Sequence, residues 1–299
     1  MLYIEREAYR VWLEDARAHA GDAALHERLR SPEAVAALTP ARKVQGDIAV
    51  INLSGFITQK PSLFSMLFGG TSAEGFAATV VGALADSTIG AVVMNVDSPG
   101  GSVFGIPEAA AAIRAARGSK PLLAVANPLM CSAAYYLASQ ADEIIALPSA
   151  IIGSIGVYTE HLDESKALEM MGLAVTEVTF GRRKAELSSA TPLSDEARAG
   201  LQARVDYYGK LFEADVAKGR KVPLATVKAN FGEGAMFTAK DAQAAGLIDR
   251  IATLSQVLGE LAVGRKPSPR MAASVEADPV ELAALAALAG VFGAKEGKP

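Results

Sequence analysis

The sequence predicts an α/β protein built on a mostly parallel sheet. From Gly46 onward, apolar runs of about six residues alternate with helical patterns of about 11 to 15 residues. Apolar strands separated by helices are typical of a parallel sheet that is covered on both faces. The chain has 299 residues, of which 51% are hydrophobic and 21% charged, so it can bury a sizeable core.

The predicted elements follow one another in a regular order. The first half predicts strands at 48–57, 89–97, 121–126 and 143–148, and helices at 72–86, 106–119 and 132–142. The second half predicts strands at 153–160 and 173–180, helices at 163–172 and 194–219, and a helix, strand and helix within 237–261. Ser194 precedes two acids and is expected to cap the long helix.

Two flanking segments differ from this body, which occupies residues 46–264. Residues 1–45 are predicted to be a helical extension, because a charged amphipathic pattern begins at residue 2. Prolines, serines and charges predict a flexible linker within 265–299, followed by a short alanine-rich helix. That helix falls short of the roughly 20 residues that cross a bilayer, so no transmembrane segment is expected.

Charge and cysteine content exclude several classes of function. The formal net charge is −4 and the basic residues are scattered, which gives no reason to expect nucleic-acid binding. Cys131 is the only cysteine, so an intrachain disulfide and a structural zinc site are excluded, and we expect neither a metal nor a cofactor. The first residues lack the pattern of a secretory signal, so a cytoplasmic location is expected.

The segment "DSPGGS", residues 97–102, ends a predicted strand in a glycine turn. Gly100 and Gly101 leave backbone N–H groups pointing outward with no side chain in the way, an arrangement that can hold an oxyanion. The alternative is structural: the glycines make the turn and Ser102 caps the following helix.

Ser132 heads the apolar run "SAAYYLAS", directly after a predicted strand. There the N–H of Ala133 and the positive end of a helix would stabilise negative charge on the hydroxyl, as a nucleophile requires. Serine is also a favoured N-cap residue, so a plain helix cap explains the position as well.

A serine nucleophile needs a base that takes its proton. His161 follows the predicted strand 153–160 and is one candidate, with a surface histidine as the alternative. Lys184 follows the predicted strand 173–180 and is the other, with a solvated basic loop as the alternative. A lysine acts as a base only if burial and nearby cations lower its pKa, and two arginines precede Lys184 in the sequence.

In combination and order, these segments resemble the signal peptide peptidase A family of serine peptidases. The motifs are "DSPGGS", "CSAAYYLAS", "GSIGV", a lysine in a G-x-x-K context and "FTAKDAQAAGLID", and the resemblance covers residues from about 46 to 263. It implies the fold shared with Clp protease and the crotonases, with repeated ββα and βα units. It also implies a polypeptide substrate and a ring-like homo-oligomer in which protomer contacts complete the catalytic pair.

The resemblance assigns roles to individual residues as a Ser-Lys dyad, a variant of the Ser-His-Asp arrangement. Ser132 matches the nucleophile, Lys184 the general base, and Ser154 the serine that orients the lysine amine. The N–H groups of Gly101 and Ala133 match the oxyanion hole; the residues that shape the loop are Gly100, Asp97 and Pro99. We expect Ser132 to cap its helix as well as to attack.

The resemblance also suggests a biological setting. A member with a helical extension, a helical tail and no membrane anchor looks like the phage capsid assembly proteases, which process scaffold and portal proteins within a prohead. Phage scaffold, portal or capsid proteins are then the expected partners, and the prohead interior is a further expected location. The alternatives are a cellular peptidase that degrades cleaved signal peptides, a Clp-like peptidase using His161, a crotonase-like enzyme acting on an acyl thioester, and a non-catalytic assembly protein. Cys131 as the nucleophile is disfavoured, because such a thiol is more often buried packing.

Overall fold

The computed structural model describes residues 2–4, 42–61, 69–118 and 120–264. Its strands in chain order are β1 (Leu2–Ile4), β2 (Arg42–Gln45), β3 (Ile48–Thr58), β4 (Gly70–Ser72), β5 (Ala91–Ser102), β6 (Leu122–Cys131), β7 (Glu143–Ala146), β8 (Ile151–Gly153), β9 (Met236–Thr238) and β10 (Arg250–Ile251). Its α-helices are α1 (Ala73–Ala85), α2 (Ile106–Ala115), α3 (Ala133–Ala138), α4 (Ser165–Met170), α5 (Asp195–Arg220), α6 (Leu224–Asn230), α7 (Ala239–Ala245) and α8 (Leu254–Ala262). None of the helices in the described ranges combines the length and apolar character that a membrane crossing requires.

The strands form one sheet with a parallel centre. Its main order is β10-β7-β6-β5-β3-β2, and each neighbouring pair from β10 to β3 runs parallel. Within the described residues, antiparallel pairing joins β1 to β5, β2 to β3 and β9 to β8. The predicted α/β class with a mostly parallel sheet is confirmed.

Alternate residues of the central strands contribute to two separate cores. Met94 of β5 and Ala124 of β6 belong to the larger core, which also contains residues of α1, α2, α3 and α5. Their sequence neighbours Val93 and Val125 face the other side of the sheet, where Val257 of α8 packs with them. Because both faces are covered, the strands are apolar along their length, which is the pattern that predicted them.

The pairing of β5 with β6 changes near the carboxyl ends of the two strands. The register moves from Val96 opposite Ala126 to Ser98 opposite Met130, so two steps along β5 correspond to four along β6. Extra residues of this kind bend the strand that carries them and redirect the residues that follow. The residues redirected here are the end of β6 and Ser132.

Most of the predicted elements are confirmed. The alternation from β3 to β7 is present, as are α5 and the closing unit of α7, β10 and α8. The hydroxyl of Ser194 accepts a hydrogen bond from the N–H of Ala197, which confirms the predicted cap of α5.

Other predictions were wrong. Leu2–Ile4 forms a strand where a helix was expected, and Arg42–Gln45 belongs to the sheet although we assigned it to the extension. Residues 173–180 form no strand, and the strand expected at 153–160 lies instead at Ile151–Gly153. Helix α6 was not predicted.

The remaining parts of the two predicted flanks cannot be compared with the structure. Residues 5–41, which hold most of the predicted extension, and residues 265–299, which hold the predicted linker and alanine-rich helix, lie outside the described residues.

Candidate active site

Two serines lie side by side where β6 and β8 end. The strands are parallel, and Cys131 is the register partner of Gly153, so the next residues, Ser132 and Ser154, leave the sheet together. The N–H of Ser132 donates to the carbonyl oxygen of Gly153 at 2.8 Å. Sites in open α/β sheets usually lie at this carboxyl edge. The structure therefore brings the predicted nucleophile next to the predicted orienting serine.

Ser132 has a backbone conformation that side-chain-bearing residues rarely adopt, with φ 54° and ψ −122°. The side chain is 1% exposed, and its Oγ makes no hydrogen bond within the described structure. The expectation that Ser132 also caps α3 was therefore wrong, because a capping serine has extended backbone angles and accepts an N–H from the first turn. The hydroxyl is held ready for another partner.

Helix α3, which begins at Ala133, is anchored firmly behind this serine. The hydroxyl of Tyr135 donates to the carbonyl oxygen of Leu247 at 2.8 Å, and that of Tyr136 donates to the carboxylate of Asp215 at 2.7 Å. Tyr136 also stacks on Phe212, with ring centroids 4.5 Å apart. The tyrosines are packing residues that fix the position of the helix start.

The turn expected at Gly100 and Gly101 was wrong: both residues belong to β5, the strand next to β6, because they pair with Phe56 and Ile57 of β3 and the strand continues to Ser102. A Cβ on Gly101 would lie 2.0 Å from the carbonyl oxygen of Ile57, so no side chain fits there. Gly100 has φ 108°, which favours glycine. Ala133 opens α3, and the first N–H groups of a helix have no acceptor within it. The two predicted oxyanion donors thus belong to neighbouring strand ends.

Ser98 was missed by sequence reasoning. Its buried hydroxyl donates to the carbonyl oxygen of Gly55 at 2.6 Å and accepts the N–H of Gly100 at 3.2 Å, which fixes the glycine-containing end of β5 against β3. Serine hydroxyls often accept the N–H of the residue two positions later, so the bond from Gly100 could have been predicted from the sequence. The bond to Gly55, a residue distant in sequence, could not.

Asp97, which we expected to shape the loop, contacts the next strand. Partial burial raises the pKa of its carboxyl, and a hydrogen bond from the N–H of Leu129 opposes that shift. Asp97 therefore links the last part of β5 to the irregular part of β6, while Pro99 lies within β5 and not in a loop.

Lys184 lies away from these groups in the single chain. Its side chain is exposed, its N–H donates to the carbonyl oxygen of Gly181, and it belongs to a run of turns without strand or helix. The Lys184 amine makes no hydrogen bond to the Ser132 hydroxyl, which has no hydrogen-bond partner in the described structure.

The arginines beside Lys184 are occupied by carboxylates. Arg182 forms two hydrogen bonds to Glu196, at 2.6 and 2.8 Å, and Arg183 forms two to Glu186, at 2.6 and 3.0 Å. These contacts raise the pKa of each arginine and lower that of each glutamate. The positive charges next to Lys184 are therefore largely compensated, which was not expected from the sequence.

His161, the other candidate base, is used elsewhere. Its Nε2 lies 3.0 Å from the carbonyl oxygen of Ser188, to which it can donate. It lines a cleft of about 730 Å³ with Asp163, Arg198 and Gln202. Hydrogen bonds from Ser165, with a smaller contribution from the charge of His161, lower the pKa of Asp163. His161 and the Ser132 hydroxyl are not hydrogen-bonded.

Cys131 is a buried residue of β6, and its Sγ lies 3.8 Å from the carbonyl oxygen of Ile151. The thiol therefore packs within the sheet. Within the described ranges, no group of three or more His, Cys, Asp or Glu side chains is arranged to hold a metal ion.

These features together define a class of protein. A mostly parallel α/β sheet that presents a strained, buried serine hydroxyl at its carboxyl edge, next to a strand with two glycines near its end, resembles the architecture of serine hydrolases. Residues 114–267, slightly more than half of the chain, match the model of peptidase family S49. The chain belongs to this family.

Individual relatives point in the same direction. Capsid assembly protease C of Escherichia phage lambda is 31% identical over 70% of this chain and 47% of that protein. Head-tail preconnector protein GP5 of Enterobacteria phage P21 is 30% identical over 77% of this chain and 46% of that protein. Protease 4 of Salmonella typhi is 29% identical over 75% of this chain and 35% of that protein. The chain spans about half, or less, of the length of these relatives.

Solved structures with a similar outline include a membrane-bound stomatin-specific protease, with a TM-score of 0.44 and 13% identity over 73% of this chain and 86% of that chain. Another is an enoyl-CoA hydratase/isomerase family member, with a TM-score of 0.37 and 17% identity over 75% of this chain and 74% of that chain.

Proposed function

We propose that this S49 chain hydrolyses peptide bonds with Ser132 as nucleophile and Lys184 as general base. The observation that carries the proposal is the state of Ser132: its hydroxyl is buried and without a hydrogen-bond partner within the described structure, at a strained position that follows β6, the neighbour of the strand that contains Gly101. Strained backbone of this kind costs on the order of 1–3 kcal/mol and clusters at functional sites. A purely structural serine has no need of it.

The proposed reaction is acyl transfer in two steps. The neutral amine of Lys184 takes the proton of Ser132 while Oγ attacks the peptide carbonyl carbon, and the N–H groups of Gly101 and Ala133 hold the resulting oxyanion. The C–N bond breaks, and the leaving amine receives the proton from Lys184. Lys184 then takes a proton from water while the oxygen of that water attacks the ester carbonyl carbon. The bond from that carbon to Oγ breaks, Lys184 returns the proton to Oγ, and a carboxylic acid leaves, which regenerates Ser132 and the neutral amine. In this scheme Ser154 orients the lysine amine.

A second copy of the chain is the proposed source of the lysine. Lys184 belongs to a segment, residues 170–187, that we call the arm. The arm exposes many apolar side chains: Met170, Met171, Leu173, Val175, Val178, Phe180 and Leu187. Val178 is 94% exposed, and exposed apolar patches of this kind mark interaction sites. Docking of the arm on a neighbouring copy would bury these side chains and deliver the amine to Ser132.

The test is complementation between inactive variants. Ser132→Ala and Lys184→Ala are each expected to lower hydrolysis of denatured casein by at least about 10⁴-fold, because nucleophile and base act as one unit. Lys166→Ala, which removes another exposed lysine nearby on α4, is the matched control and should keep parental activity. When the two inactive variants are mixed, copies that contribute an intact Ser132 meet copies that contribute an intact Lys184, so part of the activity should return.

Two results would contradict this mechanism. Parental activity in Ser132→Ala or in Lys184→Ala would show that the Ser-Lys dyad is not used. Loss of activity in His161→Ala together with full activity in Lys184→Ala would assign the role of base to His161. If both variants are inactive and their mixture stays inactive, the lysine comes from the same chain and only the contribution of the second copy is wrong.

We also propose that the biological setting is phage capsid assembly, with scaffold, portal or capsid proteins as substrates and partners. The support is the pair of phage relatives, one described as a capsid assembly protease and the other as a head-tail preconnector protein. The similarity to Protease 4 supports a cellular peptidase as the second candidate. A phage capsid protease is expected to be encoded between portal and capsid genes and to cleave the co-expressed neighbouring protein in a Ser132-dependent way. Neither result is expected for a cellular peptidase.

A further inference from the structure

Strand β1 occupies a special place in the sheet. Leu2–Ile4 pairs antiparallel with the last three residues of β5, in the register Leu2 opposite Ser102, Tyr3 opposite Gly101 and Ile4 opposite Gly100. These partners include the proposed oxyanion donor Gly101. A strand from a distant part of the sequence therefore lies along the residues on which the proposed chemistry depends.

The edge of β5 that β1 uses can be deduced from the other pairings. Gly100 and Gly101 already pair with Phe56 and Ile57 of β3 on one edge. The opposite edge pairs with β6 up to Ser98 and Met130, after which β6 ends and the chain turns into Ser132. Since a strand has two edges, β1 must lie on the edge that faces β6, which is the side of the nucleophile.

A substrate needs the same edge. The scissile carbonyl has to lie between the Ser132 hydroxyl and the N–H of Gly101, and an extended peptide binds most simply by adding a strand to a free sheet edge. Ser132 is also 1% exposed, so its hydroxyl is closed to an incoming peptide in this state. The paired edge and the inaccessible nucleophile both indicate a blocked site.

We propose that Leu2–Ile4 is an autoinhibitory strand that competes with the polypeptide substrate for the Gly100–Ser102 edge. The inference rests on the proposed function, because it takes Ser132 and Gly101 as the reacting site. A tethered segment acts at a high effective concentration, so it lowers the apparent affinity for substrate by the fraction of molecules in which the edge is open. Release of the strand, by substrate or by a partner that captures this segment, then opens the site.

The first experiment measures binding without catalysis. Full-length Ser132→Ala protein is compared with the same protein carrying Leu2→Pro, Tyr3→Pro and Ile4→Pro, because proline lacks the N–H and fits poorly in a paired strand. The matched control carries Leu2→Ala, Tyr3→Ala and Ile4→Ala, which keeps every backbone N–H. The probe is a fluorescein-labelled peptide of sequence MLYIEREAYR, followed by fluorescence anisotropy. The proline variant should bind it roughly three- to tenfold more tightly than the parent, with the alanine variant between them.

A reversible lock covers the case in which the proline variant does not fold. Leu2 and Ser102 are directly opposite, so Leu2→Cys with Ser102→Cys places two thiols at a spacing that antiparallel register partners can bridge. Oxidation should abolish binding of the peptide, and dithiothreitol should restore it, while Leu2→Cys alone responds to neither. Unchanged peptide affinity in both the proline variant and the oxidised lock overturns the proposal.

Hydrolysis by proteins with intact Ser132 separates this proposal from the proposed function. Release of the strand should lower KM for casein and leave kcat unchanged. If the proline variant binds the peptide more tightly but no Ser132-dependent hydrolysis is found, the peptidase function is refuted and the autoinhibitory strand is supported. If hydrolysis depends on Ser132 but KM is the same in the parent and the proline variant, the peptidase function is supported and the autoinhibitory strand is refuted.

Discussion

At the scale of single residues, the site depends on backbone conformation more than on residue type. Ser132 and Ser154 both have φ 54°, and each is held there by a backbone hydrogen bond, from Ser132 to Gly153 and from Ser154 to Ala235, both at 2.8 Å. An L-residue keeps such angles only where its surroundings impose them. The strand ends thus place the backbones of two serines next to one another at the carboxyl edge of the sheet.

The first prediction at this scale concerns Gly101, near the end of β5. Gly101→Ala is expected to lower the free energy of unfolding by about 1 to 3 kcal/mol, because the new Cβ meets the backbone of the central strand β3. Peptide hydrolysis should fall by at least about 100-fold, because one oxyanion donor is displaced. Urea unfolding and casein hydrolysis measure the two effects.

Gly82→Ala is the matched control for that substitution. Gly82 lies in α1, and nothing lies within 4 Å of the position of its missing Cβ. Alanine there is expected to stabilise the helix by up to about 1 kcal/mol and to leave hydrolysis unchanged. Equal behaviour of the two variants would show that the close approach of Gly101 to Ile57 has no consequence.

Part of this site could be predicted from the sequence, and the limit is physical. Ser132 directly follows β6 and the two glycines belong to the last part of β5, so a local pattern suffices to identify them as candidates. The failure of Ser132 to cap α3 and the bond from Ser98 to Gly55 depend on how β3, β5 and β6 are aligned. Alignment of strands distant in sequence leaves no local signal.

At the scale of elements, the end of the long helix α5 is held by a buried ion pair. Arg220 is 3% exposed and forms two hydrogen bonds to the carboxylate of Asp249, each of 2.9 Å. That carboxylate also accepts the N–H of Ile144 at the start of β7, and Arg220 donates to the carbonyl oxygen of Gly246. One arginine therefore ties together α5, β7 and the chain between α7 and β10.

Removal of this arginine should be costly. Arg220→Met is expected to lower the free energy of unfolding by about 3 to 5 kcal/mol, because it leaves a buried carboxylate without its compensating charge. Arg182→Met is the control, since Arg182 forms a similar two-bonded pair with Glu196 on the surface, and little measurable change is expected there. Urea unfolding of both variants tests whether burial decides the difference. Equal losses would show that it does not.

Strands that are buried on both faces could be predicted from the sequence, because their residues form continuous apolar runs. Residues 173–180 have a similar composition but form no strand, since no neighbouring strand pairs with them in the single chain. For β1 the error was the opposite one, since a helix was predicted where the structure has a strand. Its residues fit a charged helical pattern, and the unpaired edge of β5 that selects an extended form lies far away in sequence.

At the scale of the whole molecule, the two halves of the proposed dyad belong to different parts of the chain. Ser132 is anchored in the core by α3, whereas Lys184 lies on the exposed arm. The apolar side chains of the arm have little to contact in their own chain, and Phe180 is fully exposed. The same contact between copies would bury the arm and complete the site.

This coupling makes a prediction about size and activity together. Phe180→Asp should convert the proposed oligomer to a monomer in sedimentation velocity, because loss of a phenylalanine that the proposed contact would bury costs about 2 kcal/mol or more at each contact and an added charge costs further. Casein hydrolysis should fall with it, while the free energy of unfolding of the monomer stays unchanged. Val263→Asp changes an 84% exposed side chain outside the arm, so it should alter neither size nor activity. A Phe180→Asp protein that keeps the parental size and full activity would show that the arm does not deliver Lys184 to a neighbouring copy.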